Sequence, residues 1–375
     1  GSANTAVGNI ALGQTTSGSN NTALGFGALY YNSTANSNVA VGYQASYFNT
    51  TGYVNVAIGT TALYSTTTGD SNIAVGYAAM YSNTTGTNSV AIGRQALYSN
   101  TTASYNTAIG YQAGYNVTTS TANTLIGYQA GYSTTTGTFV DALGYSALYS
   151  NTTGNGNSAF GRATLYSNTT GSENTAFGTA YGVYAALRFN TTGSYNTAMG
   201  AGALANNTTA SNNTGVGYQA GYSNTTGNIT AVGYQAGYSN TTGTGNSAFG
   251  YGVLGQSSTG SSNTGVGYQA LVNNTTADNN TAVGYQASYS STTATSTTAV
   301  GWKAGYSLTT GNYNTLIGVQ TGYSLTTGTG NTFIGTNVNT YCGGLVTTGS
   351  KNTIIGGYNG NQGGLDIRTA SNYIV

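Results

Sequence analysis

Proline and histidine are both absent from this sequence, cysteine occurs once, and only 11 of 375 residues carry a charge. Each shortage excludes something. With no His, and with the acids isolated from one another, the pattern assembles no nucleophile–base pair and no metal-ligand cluster, so neither enzyme chemistry nor a cofactor is expected. A lone Cys342 can form no disulfide within the chain and no cysteine-based metal site, and reads as a small apolar filler. A net charge of +1 leaves no basic stripe to neutralise phosphates, so nucleic acid is not expected as a partner. No apolar run approaches the ~18 residues of a membrane span, so insertion into a bilayer is not expected. The missing proline has a positive meaning as well. A chain whose strands nearly all lie inside hydrogen-bonded ladders cannot tolerate it.

What is abundant is glycine (59), tyrosine (34), and the small polar residues Ser, Thr and Asn. Such a composition could be disordered. However, apolar residues make up 38% of the chain and are strictly placed. The Gly that ends each "AVG" or "AIG", taken as position 0, recurs 21 times between Gly8 and Gly356. Seventeen of the 20 intervals are 17 residues long; the others are 22 (Gly178 to Gly200), 16 (Gly217 to Gly233) and 21 (Gly335 to Gly356). The twelve residues VGYQAGYSNTTG stand at 216–227 and again at 232–243, across the short interval. A fixed short period of this kind is the signature of a solenoid.

Seventeen residues are too few for two packed helices, whereas β-branched residues and a phased Gly suit strands and turns. The expectation is an all-β parallel solenoid, or β-roll, of about 21 coils. Each coil would hold two short strands, "NTAVG" and "QALYS", joined by an "NTTG" turn. Stacking would then give two parallel sheets. The shaft would span 1–356, with irregular coils at 179–199 and 336–355 where the long intervals fall, and 357–375 would be a junction. The chain opens inside the pattern at Gly1, as a piece of something longer would.

Position −1 is apolar in every copy and position −2 is usually Ala. Adjacent strand residues point to opposite faces, so one of these rows lines the coil interior and the other lies outside. An apolar row repeated coil after coil on the outside marks an interface. The predicted partner is the chain itself, in a closed cyclic homo-oligomer.

Two aromatic rows recur. Position +5 carries Tyr30, Tyr47, Tyr64, Tyr81, Tyr98, Tyr115, Tyr132, Tyr149 and Tyr166 without a gap, and Tyr222, Tyr238, Tyr289, Tyr306 and Tyr323 later. Position +1 carries Tyr43, Tyr77, Tyr111, Tyr128, Tyr145, Tyr218, Tyr234, Tyr251, Tyr268 and Tyr285, with Trp302 in the same place. Stacked coils would set the rings in ladders, serving either as packing or as a surface on which sugar rings stack. The "NTT" of the turn matches the N-glycosylation sequon at Asn49, Asn83, Asn100, Asn151, Asn168, Asn190, Asn207, Asn224, Asn240 and Asn274. The same asparagines could equally be kept for ladders between coils. Asp366 and Arg368, two residues apart, read as a plain surface pair.

"NSVAIG" at 88–93, with "NTAVG" and "NTAIG" elsewhere, resembles the head repeats of trimeric autotransporter adhesins. The longer "TAVGYQAGYSNTTG" unit, and the ending "GGYNGNQGGLDIRTASNYIV" at 356–375, resemble tail-fibre repeat proteins of tailed bacteriophages. In that family such an ending often leads to an intramolecular chaperone that assembles a trimer and cuts itself off; no chaperone follows in this chain. The resemblance implies a homotrimeric fibre on a virion or a cell surface. It would attach to a host through a surface glycan or protein receptor. The alternative is a cellular extracellular adhesin or self-polymerising filament, glycosylated on its NTT turns.

Overall fold

A computed structural model describes residues 1–178, 184–335 and 341–375. The chain is a parallel β-solenoid of about 20 turns with a 17-residue repeat, and the described residues include no α-helix. They form two compact units, 1–178 with 188–195, and 184–187 with 196–375. In the first, β1 (Thr5–Val7) to β11 (Thr175–Phe177) pair in order as a parallel ladder, one strand per coil. In the second, β12 (Thr197–Met199) to β21 (Thr353–Ile355) do the same. Equivalent residues face each other, so Ala40 pairs with Ala57 and Val41 with Ile58. Nearly every strand is three residues long, ending just before the position-0 glycine.

The strand orients the two apolar rows. Its central residue points inward: Ala23, Ala40, Ala57, Ala74 and Ala91 are fully buried. Position −1 points outward with position −3, so Ile58 and Ile92 are 40% and 38% exposed in the single chain.

The second expected strand does not form. Residues +1 to +6 are tight turns, and positions +2 and +4 take up left-handed backbone, with Gln95 at φ 58° and Leu97 at φ 48°. The reason lies in "AL". A strand would send these neighbours to opposite faces, whereas the turn buries both: Ala28 with Leu29, Ala62 with Leu63, and Ala96 with Leu97 are fully enclosed. The turns still stack through the backbone. The N–H of Leu29 donates to the carbonyl of Ala45 in the next coil at 3.0 Å, and that of Gln44 to Phe26 in the preceding one at 2.8 Å. The described coils of each unit therefore contribute one parallel ladder, backed by a stack of turns rather than by a second ladder.

The interior conserves volume. Where position +4 is Gly instead of Leu, a large neighbour takes the space. A Cβ on Gly114 would lie 2.7 Å from Leu125, and one on Gly305 2.8 Å from Leu316. Leu125, Leu316 and Phe333 all stand at position −2, which is Ala in most copies.

Of the two irregular coils, 179–183 and 336–340 lie outside the described residues. The remainder follows the common pattern, with Leu187 N–H donating to Ala203 and Gly322 N–H to Cys342. Cys342 thus occupies an Ala position, fully buried, and burial pushes its thiol up to about 11. The segment 357–375, expected as a junction, folds in the coil's own pattern. Thr347 N–H reaches Arg368, Tyr373 N–H reaches Asn352 Oδ1, and Ile374 bridges Thr353 in parallel. A hairpin of β22 (Asn361–Gln362) and β23 (Leu365–Asp366) is inserted in it, and Ile367 is buried against the last core cluster. Asp366 and Arg368 do pair on the surface, at 2.7 Å.

Candidate functional site: ladders and the sheet face

Stacking repeats every side chain at the coil rise, so the candidate residues act as rows. The nine tyrosines from Tyr30 to Tyr166 form one uninterrupted stack, with adjacent centroids 5.0–5.6 Å apart and planes within 12° of parallel. That is offset-stacked aromatic geometry. All nine are half-buried, so the row packs as a ladder and offers solvent its edges. After Tyr166 the row continues with Arg188, whose guanidinium lies 5.1 Å from the Tyr166 centroid. The planar cation replaces the ring.

The row at position +1 is exposed. In the second unit it runs through Tyr218, Tyr234, Tyr251, Tyr268, Tyr285 and Trp302, with centroids 4.8–6.5 Å apart. In the first, Arg94 stands between Tyr77 and Tyr111 at 5.5 and 6.0 Å, and Arg162 follows Tyr145 at 5.2 Å.

The ten sequon asparagines lie inside the coil, each fully buried. Each Nδ2 donates to the carbonyl three residues on, as from Asn49 to Gly52 at 2.8 Å and from Asn274 to Ala277 at 3.1 Å. Several also donate to the Oδ1 one coil back, as Asn100 does to Asn83 and Asn168 to Asn151. A glycan on Nδ2 would have to occupy the coil interior. The first Thr of "NTT" has its own task, since Thr50 Oγ1 donates to the Thr67 carbonyl of the next coil at 2.9 Å. Where the Asn row breaks, an acceptor is stranded: Asn49, Asn100 and Asn274 each have a buried, unpartnered Oδ1, and the next coil supplies Thr66, Val117 or Ser291 instead of Asn. A second buried row at position −4 ties coils together as well, with Asn38 N–H donating to Asn21 Oδ1 and Asn38 Nδ2 to the Gly52 carbonyl.

A glutamine row at position +2 escaped the sequence reading. Gln129 Nε2 donates to Gln112, and Gln112 to Gln95, at 2.9 and 3.0 Å. The recurring "GYQ" was its visible signal.

Among the described residues no group of three or more His, Cys, Asp or Glu comes together, and no helix is long and apolar enough to cross a membrane. What the geometry defines is a class: a parallel solenoid held by side-chain ladders, with an exposed apolar row on its sheet face. No protein-family model, curated protein or solved structure matches the chain.

Proposed function

We propose that this chain is the shaft of an attachment fibre, of the tailed-phage type or a similar extracellular appendage, with three copies joined along the sheet face. The observation that carries the reading is the outward row at position −1. Leu24, Ile58, Ile92 and Ile109 in the first unit, and Phe249, Ile317 and Ile334 in the second, are all exposed in the single chain. Parallel sheets almost always have both faces covered. Here the turn stack covers one face only, and a second chain of the same period can cover the other in register. The work of such a protein is mechanical rather than catalytic: it holds a contact surface away from a particle and binds a host surface repeatedly along its length, where weak contacts suffice.

Light scattering after size exclusion, across a concentration series, tests this. A fixed mass of three chains is the expected result. Mass that climbs with concentration would mean a growing filament of the adhesin kind, and a monomer would overturn the seam.

A further inference from the structure

In the second unit the glutamine and tyrosine rows lose a member in the same coil. From Tyr251 the chain reads YGVLGQ where the two preceding coils read YQAGYS, so Gly252 replaces Gln and Gly255 replaces Tyr. The following coil keeps Gln269 but has Val272 in place of Tyr. The result is a cavity of about 360 Å³ over the two glycines, lined by Gln235, Tyr238, Tyr251, Gln256, Gln269 and Val272. Neighbouring rings do not fill it. Tyr251 stays in its own row, 4.8 Å from Tyr234 and 5.0 Å from Tyr268. By contrast Ala205 also replaces a ladder tyrosine, and there Tyr184 comes within 6.0 Å of Tyr222.

The walls of the cavity specify an occupant. Tyr238 stacks on Tyr222 at 5.3 Å with one face, which leaves its other face toward the cavity. The level of Val272 is two coil rises away, about 10 Å, which leaves room for one ring between them. The amide row has a direction: each Nε2 donates to the Oε1 one coil back, Gln235 to Gln219 at 2.9 Å and Gln286 to Gln269 at 3.1 Å. Across Gly252 the row is cut. Gln235 Oε1 is left as an acceptor and Gln269 Nε2 as a donor, and neither has a hydrogen-bond partner among the described residues. To join them, a ligand needs an N–H on one side and a C=O on the opposite side. A trans secondary amide has that arrangement; a lactam or a nucleobase presents both groups on one edge. The ligand must also be neutral and lay an apolar ring face on Tyr238, since the lining holds no charged side chain.

We propose that this cavity binds an N-acetylated hexosamine residue of a glycan. The pyranose C–H face lies on Tyr238, and the acetamido group bridges Gln235 and Gln269. As a receptor site it rests on the attachment-fibre reading; as a sugar site it stands on the cavity alone.

Saturation-transfer NMR on the full chain, titrated with N-acetylglucosamine and separately with glucose and glucosamine, is the test. N-acetylglucosamine should bind at least tenfold more tightly than either control, with transfer to its acetyl methyl. Gly252→Gln and Gly255→Tyr refill the two rows and should abolish this binding without lowering the melting temperature. Should either fail to fold, Gln269→Met removes the donor at similar volume and should bring N-acetylglucosamine down to the level of glucose. Equal binding of all three sugars, no binding at millimolar concentration, or full binding by folded variants would each overturn the assignment. A three-chain mass without sugar binding fails the cavity alone; a monomer that binds the sugar fails the fibre alone.

Discussion

At position 0 a side chain has nowhere to go. Gly42 sits at φ 139°, outside the range of L residues, and a Cβ there would lie 2.5 Å from the carbonyl oxygen of Gly59 in the next coil. The neighbour is backbone and cannot rotate away. This is why the phase glycine never varies, while position +4, also left-handed, accepts Leu, Met and Ser. There the backbone is in the ordinary left-handed well, which costs an L residue only about 1 kcal/mol. The contrast gives a paired prediction. Gly42→Ala should lose about 3 kcal/mol of stability, from strain and clash together. Gly252→Ala should lose no more than about 1 kcal/mol, because its φ is 62° and a Cβ would meet only Gln269 at 3.7 Å. Denaturant unfolding of the two variants against the parent checks both. Equal losses would mean that close approach between coils is not what fixes the glycine.

At the scale of the element, the period made much of the architecture legible. Position +5 Tyr at a constant interval had to become a ladder if the coils stacked in parallel, and so did the Asn of "NTT". The turn side was not legible, because Leu97 and Gln95 do not announce left-handed backbone. Their local preference is against it, and only burial of Ala96 beside Leu97 and the hydrogen bonds between coils impose it. The cavity over Gly252 and Gly255 was visible as a departure from the repeat, but its meaning depends on the direction of the amide row, which letters do not carry. The tyrosine ladder also has a pH signature. Burial first, and then the charge of neighbouring tyrosines, raises the phenols of Tyr47, Tyr64, Tyr98, Tyr149 and Tyr238 above the ordinary value of 10.0. The folded state therefore holds these protons longer than the unfolded one. The stabilisation is fully present below pH 10 and falls as pH rises through the raised folded values. Thermal melts should be insensitive to pH through neutrality and should drop above pH 10, in step with tyrosinate absorbance. Tyr98→Phe, which keeps the ring and removes the ionisation, should soften that drop. Melts that fall well before tyrosinate appears would place the alkaline weakness elsewhere.

At the scale of the whole molecule, the scarcity of charge and the exposed −1 row belong to one argument. A protein with 11 charged residues has little electrostatic repulsion to keep copies apart. Its sheet face adds an apolar row whose spacing another copy reproduces. Two lysines in that row should therefore act on association and hardly at all on the coil. Ile58 and Ile92 stand two coils apart on the outward face, 40% and 38% exposed, while the buried contacts of those strands belong to Ala57 and Ala91. A lysine at either site can reach water in the single chain, but in a closed seam it would be desolvated without a partner, at a cost of several kcal/mol. On the proposed three-chain assembly, the double variant I58K/I92K should keep the circular dichroism of the parent while its solution mass falls toward that of one chain. The outward threonines Thr60 and Thr61, next to the same strand but off the row, serve as controls, and lysine there should leave the mass unchanged. If the row variant keeps the three-chain mass, the copies meet along another face. The exposed aromatic row at position +1 would then be the next surface to test in the same way.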